Sequence, residues 1–588
     1  MLLRALIYPL FGCLLSVASY SQDTIPHVQG TINISIKKGT IDCDLVISNM
    51  PRLKDYYLRL NAGMNIQFIK NAEPGMLPLA YDKSPYDSLS SGESLAYYIP
   101  AWNESGKYLP RSIRFKYKGM FPVITDSSSA VDWRGNIAFN GKTLRADGIQ
   151  SAWCPILYDI KTDTRYENVT YDLDISCVDC KVIYLNGSEP VSGTRAQLSV
   201  KTAQDLTLFA GDYKAVSING QYFLNPDANE KELAELGKTL HSFQDYLEKK
   251  SGIPYKGRMT YIQTTPVSKN NSWLFASYPS IVKVGWDPGM KSFISKTEGP
   301  EFLYYMSHEI SHYYFGRVRS FNSEIGDMIS EGFAEFLALQ ITRQQISKTL
   351  YDEKMKSKVS ALRNLDPVPV GKIRSKADYK DRELYVYYYA PIIFSAIEKE
   401  IGEEKMWAWI KLLLQSPVTM TNYAFVEETL QKTLNDKVRF DSLRNKYLMA
   451  DSSLQHAITT LHLKEDRPVT PTTKKEAPKT YFYFIFSRPF RDIGSSQNNM
   501  ITHSPIQQIT CSPEEFSKLL TPFAIRVKEA CLNETGSTND LNSYNTKEEA
   551  EAALKRWLNR YNKTGKMQVK IIDPLPGEGQ AAPVIKGF

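Results

Sequence analysis

Histidine and cysteine are scarce in this sequence, with seven of each among 588 residues, so a cluster of either type carries information. Neither sign of charge dominates, because the net charge is only +7 and no long basic run occurs. Nucleic acid is therefore not an expected partner. Beyond the N-terminal segment no stretch reaches about 18 apolar residues, which excludes a multi-span membrane protein. The composition, 42% hydrophobic and 23% charged, is typical of globular chains, and the length favours roughly three to four domains.

The N-terminal segment has the features of an export signal. Residues 1–21 read MLLRALIYPLFGCLLSVASYS, in which Arg4 precedes about 14 apolar residues and Ser19 and Ser21 provide a small-residue cleavage site. An apolar run this short does not cross a hydrocarbon core of ~30 Å, so a secretory signal peptide is the prediction. The alternative is a lipoprotein box ending at Cys13, which the bulky residue two positions earlier disfavours. We expect an exported chain, periplasmic or extracellular, without a transmembrane span after cleavage.

The remaining cysteines suit an oxidising compartment. Cleavage of the signal would leave Cys43, Cys154, Cys177, Cys180, Cys511 and Cys531. An even number in an exported chain is compatible with three disulfides, in any of fifteen pairings. The Cys177–Cys180 pair could be half of a zinc ribbon, but no second CxxC completes it. The sequence therefore predicts structural disulfides or a partly free set of thiols.

Hydrophobic periodicity predicts a multidomain α+β protein. Apolar and polar residues alternate through much of residues 22–221, as in the segment 113–117 that reads IRFKY, which indicates an N-terminal antiparallel β domain. Residues 222–463 are mainly helical in pattern, with short strands near 259–264 and 280–285. The first helix is amphipathic, because its apolar residues recur at steps of three and four, at Leu233, Leu236, Leu240, Phe243 and Leu247.

The C-terminal part has a different composition. Residues 464–479, KEDRPVTPTTKKEAPK, have no periodicity and predict a linker. The remainder, 480–588, predicts a small α+β module with an initial strand YFYFIF, helices near 513–531 and 546–561, and a closing strand MQVKIID.

Two of the seven histidines lie in an HExxH motif. Residues 307–312 read SHEISH, and on a helix positions i and i+4 share one face, so His308 and His312 can reach one metal ion. Glu309 projects beside that face, where it can deprotonate a metal-bound water. Apolar residues lead into the motif, which indicates a partly buried helix. A chance match in a chain of this composition is rare, at roughly 0.005 occurrences.

A catalytic zinc ion needs a third protein ligand and an open fourth position. Glu331 follows His312 after 18 intervening residues, in a segment 330–336 that reads SEGFAEF. With Phe315-Gly316 after the second histidine, this resembles the gluzincin metallopeptidases of the aminopeptidase N family. Those enzymes typically read His-Glu-x-x-His-x-x-Phe-Gly and then Asn-Glu-Gly-Phe-Ala, and the likeness covers roughly residues 240–415.

The resemblance implies a thermolysin-like catalytic domain at 222–463 that binds one Zn²⁺ per chain. Its ligands would be His308, His312 and Glu331, with Glu309 as the general base. The implied substrate is a peptide or protein, and the implied reaction is hydrolysis by a zinc-activated water. The oligomeric state is left open.

Two further residues are candidates at the site. Glu335, one helical turn after Glu331, would orient a ligating histidine, or would be a solvated surface glutamate. The resemblance also implies a tyrosine that donates a hydrogen bond to the developing oxyanion, a contact worth ~3 kcal/mol in comparable sites. Counting back from Gly402 selects Tyr387, with Tyr388 as the second choice.

The sequence departs from the family in two places. Aminopeptidases of the family carry a Gly-Ala-Met-Glu-Asn box whose glutamate binds the substrate's α-amine, but the corresponding segment 275–284 reads FASYPSIVKV. Without that carboxylate the ammonium group would lose about 2–3 kcal/mol of charge-assisted binding. We also expect the large helical C-terminal domain of the family to be absent, because little more than 120 residues follow the catalytic region.

These observations leave three hypotheses. The first is an exported zinc metallopeptidase, aminopeptidase-like but with altered recognition of the N-terminus. The second is an endo-acting peptidase of the same fold. The third is a catalytically inactive, zinc-bound binding or scaffold protein, against which the intact set of site residues argues.

Overall fold

The computed structural model describes residues 25–72, 78–83, 93–100, 108–125, 137–264, 273–284, 289–379, 381–463, 478–489, 500–511, 516, 537–561 and 568–572. The predicted signal peptide, Cys13 included, lies outside these residues, as do residues 464–477 of the predicted linker. The chain forms two compact units, Met1–Glu465 and Asp466–Phe588. The predicted domain boundaries within and between them stay predictions.

The N-terminal part of the first unit is built from β-strands. In chain order they are β1 His27–Ser35, β2 Thr40–Ser48, β3 Tyr56–Asn61, β4 Met64–Asn71, β5 Asp82–Lys83, β6 Ser94–Tyr98, β7 Ile113–Met120, β8 Ile137–Phe139, β9 Thr143–Ala146, β10 Ile156–Asp159, β11 Thr164–Tyr166, β12 Asn168–Cys177, β13 Val182–Leu185, β14 Val191–Ser192, β15 Arg195–Asp205 and β16 Leu208–Gly211. One short helix, α1 Gly148–Ser151, interrupts them.

These strands form three sheets around one apolar core. The sheet orders are β15-β12-β1-β2-β7-β4, β11-β10-β3-β6-β5 and β14-β13-β16-β9-β8. The predicted alternation is confirmed in β7, where Ile113, Phe115 and Tyr117 are buried and their neighbours are more exposed. The pairing is antiparallel except between β1 and β12, which run parallel. No hairpin joins those two strands, so no turn imposes the antiparallel direction.

A mixed sheet and a set of helices form the rest of the first unit. The strands are β17 Ala215–Ile218, β18 Gln221–Leu224, β19 Thr260–Thr264, β20 Trp273–Ser277 and β21 Ser280–Val284, in the order β17-β18-β19-β21-β20. The helices are α2 Glu230–Ser251, α3 Gly299–Ser311, α4 Gly326–Ile341, α5 Lys348–Ala361, α6 Ala390–Ile401, α7 Glu403–Gln415, α8 Tyr423–Leu434, α9 Lys437–Leu443 and α10 Ser453–Thr460. A π-helical segment, Leu384–Tyr389, leads into α6.

Helix α2 confirms the predicted amphipathic helix. All five of its predicted apolar positions are buried in the helical core. Asn229 caps the helix, because its side chain accepts a hydrogen bond from the Glu232 amide and the Glu232 carboxylate accepts one from the Asn229 amide. Within the part of the chain that the structure describes, no helix combines the length and the apolarity that a membrane crossing requires.

The second unit contains a small sheet and a helix. Its strands are β22 Lys479–Pro489, β23 Met500–His503, β24 Gln507–Cys511, β25 Ser537–Tyr544 and β26 Gln568–Ile571, ordered β24-β22-β23-β26 with β25 paired to β22. Helix α11, Lys547–Tyr561, packs Ala553 and Trp557 against the sheet at Phe484 and Phe486. Of the helix predicted near 513–531, only Phe516 is among the described residues.

The cysteines are only partly paired, which is one of the two predicted outcomes. Cys177 and Cys180 form a disulfide, so their sulfur atoms are not a zinc-ribbon half. Cys43 and Cys154 are buried free thiols. Cys531 lies outside the described residues.

Candidate metal centre

The HExxH residues lie at the end of helix α3. Pro300 lies in the first turn, where the N–H that proline lacks would have no partner within the helix. His308 is in the last turn of α3, and His312 immediately follows the helix. The i, i+4 spacing brings the two rings together, with 3.1 Å between their Nε2 atoms.

Glu331, in helix α4, reaches both histidines. Its Oε2 atom is 3.4 Å from Nε2 of His308 and 3.4 Å from Nε2 of His312. The same oxygen is buried and has no hydrogen-bond partner among the described residues. A buried polar atom without a partner costs free energy, so this arrangement favours a further group that binds between the three residues.

The three converging atoms fit the ligand set of a zinc ion. Atoms that lie about 2.0–2.1 Å from a tetrahedral ion are roughly 3.3–3.4 Å from one another, and the three separations here are 3.1, 3.4 and 3.4 Å. Two imidazole nitrogens and one carboxylate oxygen also leave a fourth position for water. His308, His312 and Glu331 are thus a group that could hold a metal ion, and we call these three residues the ligand group.

The charges around this group favour a cation. Burial acts to lower the pKa of His308, but the carboxylates of Glu331 and Glu335 outweigh it and raise that pKa to about 10. Burial acts to raise the pKa of Glu331, but the two imidazoles outweigh it and hold that pKa well below the usual range. Glu331 is therefore ionised at neutral pH, as a metal ligand must be.

Glu335 supports His308 from behind. Its Oε2 atom accepts a hydrogen bond from Nδ1 of His308 at 2.7 Å, which directs the Nε2 lone pair toward the other ligands. The Tyr304 hydroxyl and the Lys358 ammonium also donate to this carboxylate. Only 6% of Glu335 is exposed, so the interpretation as a solvated glutamate is wrong.

Glu309 lies beside the ligand group and is half-buried. Burial raises its pKa, against the lowering effects of the two imidazoles and of a backbone hydrogen bond from Ala276. A raised pKa brings a carboxylate closer to the range in which it can both accept and return a proton near neutral pH. Ala276 belongs to β20, and this strand packs against α3.

The structure separates the two candidate tyrosines. The Tyr387 ring lies next to His308, with 5.8 Å between the ring centroids. The pKa of Tyr387 is raised, by burial first and then by Glu331 and Glu309, against the lowering effect of Arg382. The Tyr388 ring instead faces the Lys358 ammonium, which lies 5.0 Å from the centroid of that ring. Tyr387 is therefore the tyrosine that the structure brings to the ligand group.

Sequence reasoning missed three residues around the site. Tyr304 and Lys358 bind Glu335, and Arg382 lies 3.7 Å from Oε1 of Glu331. Tyr304 precedes His308 by one helical turn, a spacing that could have indicated contact on the same face. Lys358 and Arg382 lie in separate segments, and no local pattern marks either of them.

Strands β20 and β21 contain the segment 275–284, which the resemblance predicts to be the altered amine-binding motif. No carboxylate occurs in residues 273–284, and β20 is the outermost of the described strands of its sheet. The structure thus places an edge strand without an acidic side chain beside the HExxH helix, where α3 packs against β20.

No family model and no curated protein matches this sequence. Solved structures do match. Yeast LTA4 hydrolase in complex with bestatin is 13% identical with a TM-score of 0.50, over 74% of this chain and 70% of that chain. An M1 zinc metallopeptidase mutant from Deinococcus radiodurans, bound to a Tyr-Ser-Ala substrate, is 12% identical with a TM-score of 0.48, over 72% of this chain and 93% of that one.

Aminopeptidase A from Legionella pneumophila, in complex with aspartic acid, is 13% identical with a TM-score of 0.49, over 71% of this chain and 49% of that chain. At such identities a likeness shows the fold alone. The β-rich N-terminal region and the helical middle region therefore have the multidomain α+β fold seen in yeast LTA4 hydrolase.

Proposed function

We propose that this protein is a zinc-dependent metallopeptidase that hydrolyses peptide bonds. The observation that carries the proposal is the convergence of His308 and His312 on Oε2 of Glu331. This oxygen is buried and has no hydrogen-bond partner among the described residues. Glu309 and Tyr387 lie next to this group, and the fold is one that zinc peptidases use.

Each site residue would have a defined task. A zinc ion bound by the three ligands would lower the pKa of a water molecule toward ~7 and polarise the scissile carbonyl. Glu309 would accept the proton of the attacking water and return it to the leaving amine. Tyr387, whose raised pKa keeps its hydroxyl protonated, would donate a hydrogen bond to the oxyanion that develops on the substrate.

The proposed substrate is an extended peptide, bound along β20. An edge strand has backbone groups that no neighbouring strand uses, and a peptide can pair with them. Because residues 273–284 offer no carboxylate, we propose aminopeptidase-like cleavage with a different anchor for the N-terminus. Endo-acting cleavage is the second candidate, and the same missing carboxylate favours it. Export through residues 1–21 is part of this proposal.

One set of assays tests the proposal. Purified zinc-loaded protein is incubated with peptides that have free or acetylated N-termini, with and without chelator, beside Glu309→Gln. We expect cleavage that chelator abolishes and that Glu309→Gln reduces about 10²–10⁴-fold with zinc still bound. Internal cleavage of acetylated peptides would select the endo-acting alternative. One bound zinc without turnover of either peptide class would support the scaffold alternative, and full activity of Glu309→Gln would exclude the assigned base.

A further inference from the structure

We propose that Asn186 is a positioning residue for peptide hydrolysis, because it holds edge strand β20 in place beside Glu309. The inference rests on the proposed function and adds a residue to it. Asn186 lies outside the helical region, immediately after β13 of the N-terminal sheets, and its exposed fraction is 0%. Nothing in the local sequence marks it as part of the site.

The Asn186 amide binds both ends of the turn between β20 and β21. Its Nδ2 atom donates toward the carbonyl oxygens of Ser277 and Tyr278, at 2.8 and 2.9 Å. Its Oδ1 atom accepts a hydrogen bond from the Ser280 hydroxyl at 2.7 Å. One buried side chain therefore ties the last residue of β20, the turn and the first residue of β21 to the N-terminal sheets.

Neighbouring polar groups add to the hydrogen bonds of Asn186, and we call the whole set, Asn186 with Tyr184, Asp205 and Thr207, the clamp. The Ser277 hydroxyl donates to Oδ2 of Asp205 at 2.8 Å and lies 2.6 Å from the Thr207 hydroxyl. The Tyr184 hydroxyl lies 2.7 Å from that of Ser280. Buried polar networks in which the partners satisfy one another rigidify the segment they join. The turn is thus held by directed bonds rather than by apolar contact alone.

The clamp is one residue away from the site. Ala276 precedes Ser277, and its strand β20 packs against α3, where the backbone of Ala276 acts to lower the pKa of the Glu309 carboxyl. Among the described residues β20 pairs only with β21, so its outer edge has no strand that fixes it. A misplacement of about 1 Å at a catalytic group can cost 10²-fold in rate, so a clamp at this end of β20 matters for turnover.

A second buried asparagine in the same β region provides a matched control. Asn61 is 2% exposed; its Nδ2 atom donates to the Ser151 carbonyl at 2.8 Å and its Oδ1 atom accepts from the Gly63 amide at 2.9 Å. Asn61 has no hydrogen bond to β20 or β21 among the described residues. Its removal costs stability of a similar kind without a direct effect on β20.

The test compares Asn186→Ala with Asn61→Ala in the full-length, zinc-loaded protein. We measure zinc content, kcat and KM for a peptide of at least six residues, and hydrogen exchange of the amides in residues 273–278. We expect both variants to melt at lower temperature and to keep one zinc per chain. Only Asn186→Ala should lose at least tenfold in kcat and exchange faster at 273–278. Equal kcat in the two variants, or unchanged exchange at 273–278, would overturn the inference.

Asn186→Asp covers the case in which the alanine variant does not fold. It keeps the shape and the acceptor for Ser280 but lacks the donors for Ser277 and Tyr278, so the same two changes are expected. If the wild-type protein binds zinc but cleaves no peptide, the proposed function fails. The exchange comparison then still decides whether Asn186 holds β20, so the two failures are distinguishable.

Discussion

At the scale of single residues, a buried ion pair supports the ligand group. Glu335 and Lys358 are 6% and 4% exposed, and the Lys358 ammonium donates both to the Glu335 carboxylate and, at 2.8 Å, to the backbone carbonyl of Tyr387. Because Glu335 also accepts from His308, the pair connects a proposed metal ligand with the segment that carries the proposed oxyanion donor. Each partner shields the other from the cost of an unpaired buried charge.

Glu335→Ala should therefore have two separable effects. The Lys358 ammonium stays buried without its carboxylate, which we expect to lower the free energy of unfolding by about 3–5 kcal/mol. His308 loses its orienting acceptor, which we expect to weaken zinc binding about 10–100-fold. Urea unfolding and zinc titration against a competing chelator measure the two effects.

The double variant with Lys358→Met separates them. Removal of the unpaired charge should restore much of the stability, whereas zinc binding should stay weak because His308 still has no acceptor. Zinc affinity equal to that of the wild type in either variant would show that Glu335 does not support the metal ligand.

At the scale of elements, the approach of α4 to α6 depends on Gly332. This glycine follows Glu331, and a Cβ atom placed there would lie 2.7 Å from Cβ of Ala390 and 3.1 Å from the Phe394 ring. The close approach lets α4 present Glu331 toward the histidines while its other face packs against α6. The close packing of α4 on α6 thus requires the glycine of the Glu-Gly-Phe-Ala segment.

Gly332→Ala should destabilise the protein, even though alanine is the better helix former by about 1 kcal/mol. Overpacking between α4 and α6 should cost about 1–3 kcal/mol and shift Glu331, so zinc binding should weaken as well. Gly237→Ala on α2 is the matched control, because the one close contact of its Cβ would be with the end of the flexible Gln221 side chain, and the Phe223 ring would lie at an ordinary 3.6 Å. Urea midpoints measure both, and equal midpoints for the two variants would contradict the packing argument.

At the scale of the whole molecule, zinc would couple α3 to α4. Its ligands come from the end of one helix and the middle of another, so only the folded chain presents them together. At free zinc 100-fold above Kd, binding adds about 2.7 kcal/mol to stability. Calorimetry should therefore show a lower Tm after chelation and recovery when zinc is restored. His312→Ala should not respond to chelator, and a Tm of the wild type that is equally insensitive would contradict the coupling.

Asp147 adds a pH dependence to the stability of the N-terminal sheets. It is 1% exposed, and burial raises its pKa to about 7, with Asp205 and Glu93 acting in the same direction and Arg145 against them. The unfolded pKa is about 3.9, so the folded state binds the proton more tightly. This contribution to stability is complete below about pH 4, falls as the pH rises toward 7, and does not change further above it.

Asp147→Asn should remove the loss of stability that accompanies ionisation of Asp147. Relative to the variant, the wild type should lose stability between pH 4 and pH 7, by at most about 4 kcal/mol. Urea unfolding of both proteins at pH 5 and at pH 8 measures the difference, and the comparison cancels groups common to both, such as Glu167. A stability difference that is the same at both pH values would contradict the assignment.

Local patterns in the sequence were sufficient for much of the fold and for the pairing of His308 with His312, two members of the proposed ligand set. The apolar steps of α2 and the alternation of β7 reflect burial of one face, which depends only on near neighbours along the chain. His308 and His312 converge because they are one helical turn apart. Glu331 was found through its spacing and the resemblance, and the structure brings it within 3.4 Å of both histidines.

The surroundings of that ligand set were decided by the tertiary structure alone. Lys358 reaches Glu335 from another helix, and Asn186 reaches Ser277 from another sheet across 91 residues. Such contacts depend on how whole elements pack, and a single lysine or asparagine in a sequence does not indicate its distant partner. The sequence alone paired His308 with His312, because helical geometry is local, and it proposed Glu331 only through the family resemblance. Which residues hold those ligands and the edge strand in place was decided by packing, because packing joins segments that are remote in the chain.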